Sequence, residues 1–527
     1  MVSRGGRDVQ VLSAGAEPAR APLHRVRSGH VSVDSEGLRH WLVDGREVVA
    51  RLHLQVRDRH WRAVPLTVVD SRVDYSPSDG RIAVTTTGRL RADDLHLEAR
   101  LFMTAGEVLD ADLEMRFVER SAYNRIGWCL LLTSKEVCGS DVTTFRGDEQ
   151  VARRMITEDI VPQPHVAGLP ASFLPSFDSI RVDLVRGGTL EARFSGDLFE
   201  IEDQRNWSDD SFKVYSTPLE LGFPRSAEAG TTLSQHVRVA LTGTASHQPA
   251  RVEPSNLRGD LLANVGPLPS VGTVADPGAA HVNDSGLTHL LSRAAAGPAR
   301  FVGAVSQALR IQPYPDAILA PSGRWVELNR VRPRLGPRTG VLVPINATVH
   351  VADDESVRST VGTHRTIALQ TAALYPHCDV HVGPVDFAQE AGEWPPGPFP
   401  TAGNRDPRRR APFAAAWVVA SIAAVLPASP ASLTYLDLDA LWADGLATPV
   451  GRVLTWLASR VGQETHVASH GLPADVAALA WQSDGDASWE VLLANNGGVA
   501  ASVDTGAGYE PIRLLPGDVV LIGEWAP

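Results

Sequence analysis

HVSVDSEGLRHWLVDGREVVARLHLQVRD, His30 to Asp58, alternates polar and apolar residues and breaks at SEG and DGR. That is the period-2 pattern of antiparallel sheet joined by hairpins. Stretches of the same kind follow at Arg81 to Thr87, Leu95 to Met103, Ala111 to Val118, Ile180 to Val185, Leu190 to Phe194 and His236 to Leu241. Many short strands without a helical period predict a large β-sandwich over residues 30–250, behind a flexible N-terminus of residues 1–29.

Near Pro254 the texture changes. Short apolar runs now alternate with Ala-rich helical stretches: LPSVGTVA, then GLTHLLSRAAA; VLVPINATVHV, then VRSTVGTHRTIALQTAAL; DVHVGPVDF, then PFAAAWVVASIAAVL; SLTYLDLD, then PVGRVLTWLASRVG. Strands alternating with helices are βα units, so residues 251–461 are expected to form a (β/α) TIM-type barrel-like domain. Its length of about 205 residues is near the lower bound for eight units, which leaves room for missing ones. Strand texture returns in VAALAWQSD, WEVLLANNG and VVLIGEW, predicting a small C-terminal β-domain over residues 462–527.

Composition narrows the partners. Lys+Arg 49 against Asp+Glu 61 gives a net charge of −12, which repels phosphate backbones and anionic lipid, so neither nucleic acid nor a membrane surface is expected. The three cysteines, Cys129, Cys138 and Cys378, form no CxxC pair and no even framework; a reducing compartment fits. Met1 to Pro22 holds no apolar run of signal-peptide length, and a cytoplasmic location is expected. The most apolar run, Ala411 to Leu426, is shorter than the ~20 residues that span a bilayer and reads as a buried helix. Nothing in the sequence sets the oligomeric state. GxGxxG, Walker, HExxH and GxSxG motifs are all missing, so no cofactor and no metal are implied.

Four stretches carry candidate chemistry. FEIEDQRNWSDDSFKVYSTPL, Phe199 to Leu219, is the densest. A strand entering at Phe199 puts Glu200 and Glu202 on one face, with Asp203 and Arg205 at its end. Together with Asn206 and Trp207 this mixture suits a hydroxyl-rich ligand, since each hydroxyl wants a planar donor or acceptor and an indole covers the apolar face. The structural alternative is an Asp/Arg ion-pair cluster that pins an edge strand. Lys213 lies in the same stretch and is one of only two lysines, with Lys135. A lysine retained where Arg otherwise serves is one needed as a compact ammonium; an incidental surface lysine is the alternative.

RWVELNRVRP, Arg324 to Pro333, is read as a strand with Trp325, Glu327 and Asn329 on one face and Arg330 entering the following loop, at the catalytic end of a barrel. In NATVHVADDESV, His350 is read as ending a strand, with Asp353 and Asp354 as helix caps. In SLTYLDLD, Tyr435 and Asp437 share a strand face, so Glu327 and Asp437 could act as a carboxylate pair across the mouth.

These motifs resemble those of the D-apionate lactonases. The resemblance rests on YNRIGWCLL (Tyr123 to Leu131), VPQPH (Val161 to His165), GDLFEIEDQRNWSDDSFKVYSTPL (Gly196 to Leu219), ELNRVRP, TVHVADDESV, VGPVDF, RDPRRRAPFAAAWVVAS and LTYLDLD, in that order. It implies a sandwich, a barrel-like middle domain and a small β-domain, acting on a small-molecule sugar lactone of the D-apionolactone type. The chain departs from the pattern in a short segment between Gly286 and Arg324 and at Val331, Asp386 and Asp437. On this reading Glu327 is base or acid and Asp437 its partner. Asn329, Arg330 and His350 then contact carbonyl and hydroxyls, while Glu202, Asp203, Arg205, Asn206, Trp207 and Lys213 form a wall supplied by the sandwich. Two mouth carboxylates also suit a glycoside hydrolase, and a catalytically silent carbohydrate-binding homologue is a third reading.

Overall fold

The computed structural model describes residues 9–16, 22–166, 169–243, 257–275, 287–292, 301–302, 318–319, 324–336, 340–350, 352–387, 406–468, 471–482, 488–505 and 510–525. The sandwich is present as two antiparallel sheets. One runs in the order Glu200–Asp203, Ser211–Tyr215, Ser121–Thr133, Arg46–Asp58, Gly37–Val43, Gly29–Val33, Leu23–Val26; the other has nine strands, from Glu149–Met155 at one edge to Thr67–Ser76 at the other. Alternation makes the core: Leu52, Leu54, Val56, Trp128, Leu130, Phe212 and Val214 point inward and pack against Val84, Leu97, Leu101, Leu113 and Val237 of the second sheet. Within the YNRIGWCLL motif, an ideal Cβ on Gly127 would lie 2.1 Å from Gln235 Oε1, which leaves glycine as the residue that fits there.

The middle domain is a mostly parallel sheet in the order Phe301–Val302, His289–Ser292, Ser270–Ala275, Ser432–Asp437, Val380–Asp386, Val341–Asn346, Ile318–Leu319; only the first pair is antiparallel. Among the described residues these strands form an open sheet and do not close into a ring. The apolar run forms the expected helix, Pro412–Val425, buried among Trp325, Val357, Val382 and Leu479. Among the described residues no helix is long and apolar enough to cross a membrane.

Three local expectations are corrected. Arg324 to Pro333 is not a strand: Trp325–Val331 is a helix, whose Trp325, Val326 and Leu328 are buried and whose end is closed by Arg332 at φ 44°. His350 does not end a strand, since the strand stops at Asn346 and His350 lies in the bend that follows. The segment read as a flexible N-terminus contains a strand, Val9–Ser13, which pairs with Val519–Trp525; Leu262–Pro267 joins the same C-terminal sheet through Glu464–Ala468.

Asp353 caps helix Asp354–Leu374, accepting from the Ser356 amide at 3.2 Å. The same carboxylate meets Arg39 at 3.1 Å and Arg51 at 3.7 Å from the sandwich, so one cap also joins two domains. Burial pushes the Asp353 carboxyl up, but Arg39 and Arg51 outweigh it and hold it at about 2, below its ordinary 3.8. A depressed carboxylate pKa stabilises the fold above the unfolded value, and the gain is lost as pH falls through the folded one. Asp353→Asn is therefore expected to cost about 2 kcal/mol at neutral pH and nearly nothing near pH 2, as read from urea midpoints across that range.

Candidate functional site

The outward face of the first sandwich sheet is polar yet buried, because the middle domain covers it. Pairing sets the polar residues in rows. Arg51 stands opposite Leu131, Leu131 opposite Lys213 and Lys213 opposite Glu202; in the next row His53, Cys129, Tyr215 and Glu200 follow one another. Such opposed side chains lie within contact range.

Glu202 is held by three donors: Gln163 Nε2 at 2.8 Å, Trp207 Nε1 at 3.0 Å and Tyr215 OH at 2.9 Å. Tyr215 OH in turn accepts from Arg125 at 2.8 Å, and Arg125 is ion-paired with Glu200. Lys213 is 4% exposed, and its ammonium lies 4.4 Å from the centre of the Tyr215 ring. It makes no hydrogen bond to any described residue. Burial brings it down from 10.5 to about 8.

The middle domain contributes His350, whose Nδ1 is 2.6 Å from Asp209 Oδ2. Its backbone carbonyl accepts from Arg57 at 3.2 Å, and its ring meets the Trp207 indole edge-on at 6.0 Å. Burial pushes Asp209 up from 3.8 to about 7, against the pull of Lys213 and Arg57. Burial, aided by Lys213, pushes His350 well below its usual range, so the imidazole is neutral at pH 7. A neutral imidazole oriented by a carboxylate, close to a lysine of lowered pKa, is equipped for acid/base work.

The remaining predicted residues divide. Asp203 and Arg205 form a buried pair at 2.8 Å, and Arg205 also donates to the carbonyls of Thr157 and Glu158, which is the structural alternative raised above. Asn206 Oδ1 accepts from Asn329 at 3.1 Å, joining the two domains beside Trp207. Arg330 binds both oxygens of Glu327 at 2.7 Å and reaches Gln163 Oε1 at 3.0 Å. Asp437 lies elsewhere, at the carboxyl end of its strand, where it caps the Ala440 amide at 3.1 Å and meets Arg409 at 3.0 Å; Arg409 is also bonded to Asp386 at the end of the neighbouring strand. Thus Glu202, Trp207, Lys213 and His350 are gathered, while Glu327 and Asp437 sit in separate ion pairs. Among the described residues no group of three or more His, Cys, Asp or Glu could hold a metal ion.

Sequence reasoning did not single out Arg57, Tyr215, Gln163 or Asp209. The last three stood inside quoted motifs, VPQPH and FEIEDQRNWSDDSFKVYSTPL, and motif membership was the available signal.

The architecture is that of a multidomain protein in which a β-sandwich and a parallel α/β domain enclose a polar interface. Two domain models of one family match it: D-apionate lactonase, N-terminal domain, over residues 11–244, and D-apionate lactonase, TIM barrel domain, over residues 322–462. The chain belongs to the D-apionate lactonase family. A D-apionate lactonase from Brucella anthropi is 31% identical over 282 residues, which is 51% of this chain and 44% of that protein, so the match spans less than half of the relative's length. Among solved structures, a galactose 1-epimerase from Lactobacillus acidophilus is 9% identical with a TM-score of 0.28, covering 45% of this chain and 100% of that one. An alpha-galactosidase from Geobacillus stearothermophilus is 10% identical with a TM-score of 0.22, covering 89% of each chain. Both likenesses are remote.

Proposed function

We propose that the chain hydrolyses a sugar lactone of the D-apionolactone type at the interface between sandwich and middle domain. The observation that carries this reading is the Lys213 ammonium, buried without a hydrogen bond among the described residues, close to the Asp209–His350 pair. In the reaction His350, its Nδ1 held by Asp209, takes a proton from water as the water oxygen attacks the lactone carbonyl carbon. Lys213 balances the charge that develops on the carbonyl oxygen. As the bond from carbonyl carbon to ring oxygen breaks, Lys213 protonates the leaving alkoxide, and the proton taken up by His350 is passed back through solvent to Lys213, which restores both groups. Glu202 and Trp207 bind sugar hydroxyls and the apolar sugar face. Asn329, Arg330, Asn206, Asp203 and Arg205 position that wall.

Family membership supports the lactone as substrate class, and D-apionolactone is the first to test. Purified chain should release acid from it in a pH-stat above the spontaneous rate. A chain that leaves the lactone at that rate while cleaving an aryl glycoside would overturn the proposal.

A second reading keeps the chemistry in the middle domain. It is favoured by Asp386 and Asp437, which end adjacent parallel strands where barrel active sites form. The two readings separate at Asp437: the middle-domain reading requires Asp437→Asn to remove most turnover, and the interface reading does not; Glu327, the base expected from the sequence, is tested in the same way. If the interface is the site, Glu327→Gln leaves kcat within about twofold and costs about 1 kcal/mol or less through its half-buried partner Arg330. A loss of most turnover in that variant, with an unchanged melting curve, would return the base role to Glu327.

A further inference from the structure

Strand Arg46–Asp58 supplies a second set of groups to the same interface. Arg51, His53 and Gln55 alternate along it, in register with Leu131, Cys129 and Gly127, and so share the face that carries Lys213. His53 is 4% exposed and makes no hydrogen bond to any described residue. Three enclosed polar atoms follow one another here with no partner: Arg51 Nε, His53 Nδ1 and Gln55 Oε1. Buried polar atoms are nearly always paired, so three orphans on successive alternate positions of one strand mark a place where hydrogen bonds come from outside the chain. Arg51 spends its terminal nitrogens on Glu36, Asp34 and Asp353, which leaves only its Nε to the interface.

The chemistry of the three atoms fits hydroxyls and does not fit a second anion. Burial, reinforced by Arg51, keeps the His53 imidazole well below its usual range and therefore uncharged at pH 7. A neutral imidazole offers one donor and one acceptor, Gln55 Oε1 an acceptor and Arg51 Nε a donor; hydroxyls, which both give and take, satisfy all of them. The geometry points to a sugar-hydroxyl subsite built by His53 and Gln55, with Arg51 Nε at its edge, that holds the hydroxylated part of the lactone whose carbonyl faces Lys213. The inference rests on the lactonase reading for its substrate and on strand geometry for its location.

The test uses the full chain with His53→Phe and His53→Gln, on D-apionolactone and on unsubstituted γ-butyrolactone. The subsite requires the ratio of kcat/KM for the hydroxylated over the bare lactone to fall at least about tenfold in His53→Phe, mainly through KM. His53→Gln, which keeps a donor and an acceptor, should recover part of it. An unchanged ratio, or an equal loss on both lactones, overturns the subsite. If His53→Phe fails to fold by its melting curve, Gln55→Met, which removes the second orphaned acceptor at similar volume, carries the same comparison. If the wild-type chain hydrolyses neither lactone, the lactonase reading falls, and calorimetry with D-apionate judges the subsite separately. Binding that weakens about tenfold or more in the variant sustains it, whereas equal binding or none overturns it.

Discussion

Replacing Lys213 by Met is expected to lower kcat for lactone hydrolysis by about 10²- to 10³-fold, because one preorganised charge facing a developing oxyanion is worth about that much. The same change should stabilise the fold. Burial lowers Lys213 from 10.5 to about 8, and a depressed lysine pKa means that stability is full above the unfolded value and declines as pH falls through the folded one. At pH 7 the wild type therefore carries about 3 kcal/mol of cost that Met removes, while above about pH 10.5 the two proteins converge. Urea unfolding at pH 7 and at alkaline pH, beside pH-stat rates, measures both halves. A Met variant that is less stable and fully active would show the ammonium to be structural. In the wild type, rates should decline as pH rises through about 8, where the proton donor is lost.

Asp209→Asn is expected to lower kcat by about 10²- to 10⁴-fold with little change in KM, since an amide facing His350 Nδ1 no longer fixes the tautomer in which Nε2 is the proton acceptor. The pair titrates as a unit. With Asp209 raised to about 7 by burial, wild-type rates should fall as pH drops through that value, and the acidic limb should vanish in the Asn variant. A persisting limb would assign it to another group. Asp209 has the opposite linkage sign to Asp353: its folded pKa is raised, so stability is full at low pH and declines as pH climbs through about 7. Asp209→Asn should therefore gain stability at pH 8 relative to pH 4, measurable in the same unfolding series.

The sandwich was legible because its strands alternate over seven or more residues, as in RIAVTTTGRL and LHLEARLFM, and no other regular structure has that period. Trp325–Val331 was misread because seven residues are too few to separate the two periods: Trp325, Glu327 and Asn329 satisfy a strand, while Trp325, Val326 and Leu328 satisfy a helix. Lys213 was legible through its rarity. The stripe at Arg51, His53 and Arg57 was not, because polar alternation on an antiparallel strand ordinarily marks a solvated face. Only the docking of the middle domain buries it, and that contact lies between residues nearly 300 positions apart, as Arg57 and His350 are. Glu327 and Asp437 were sound choices by residue type and position in the chain. What composition and pattern could not convey is that each faces an arginine, Arg330 and Arg409.

Val9–Ser13 and Leu262–Pro267 belong to one sheet, yet the whole sandwich lies between them in the chain. The sandwich is thus tied to that sheet on both sides in the chain. The Ser13 hydroxyl donates to the Gly517 carbonyl across 504 positions, so this edge of the sheet forms only after strand Val519–Trp525 has been synthesised. That pairing joins a strand made earlier to one made more than 500 residues later. Unpairing either strand should loosen the domain pairing while leaving the sandwich's own core intact.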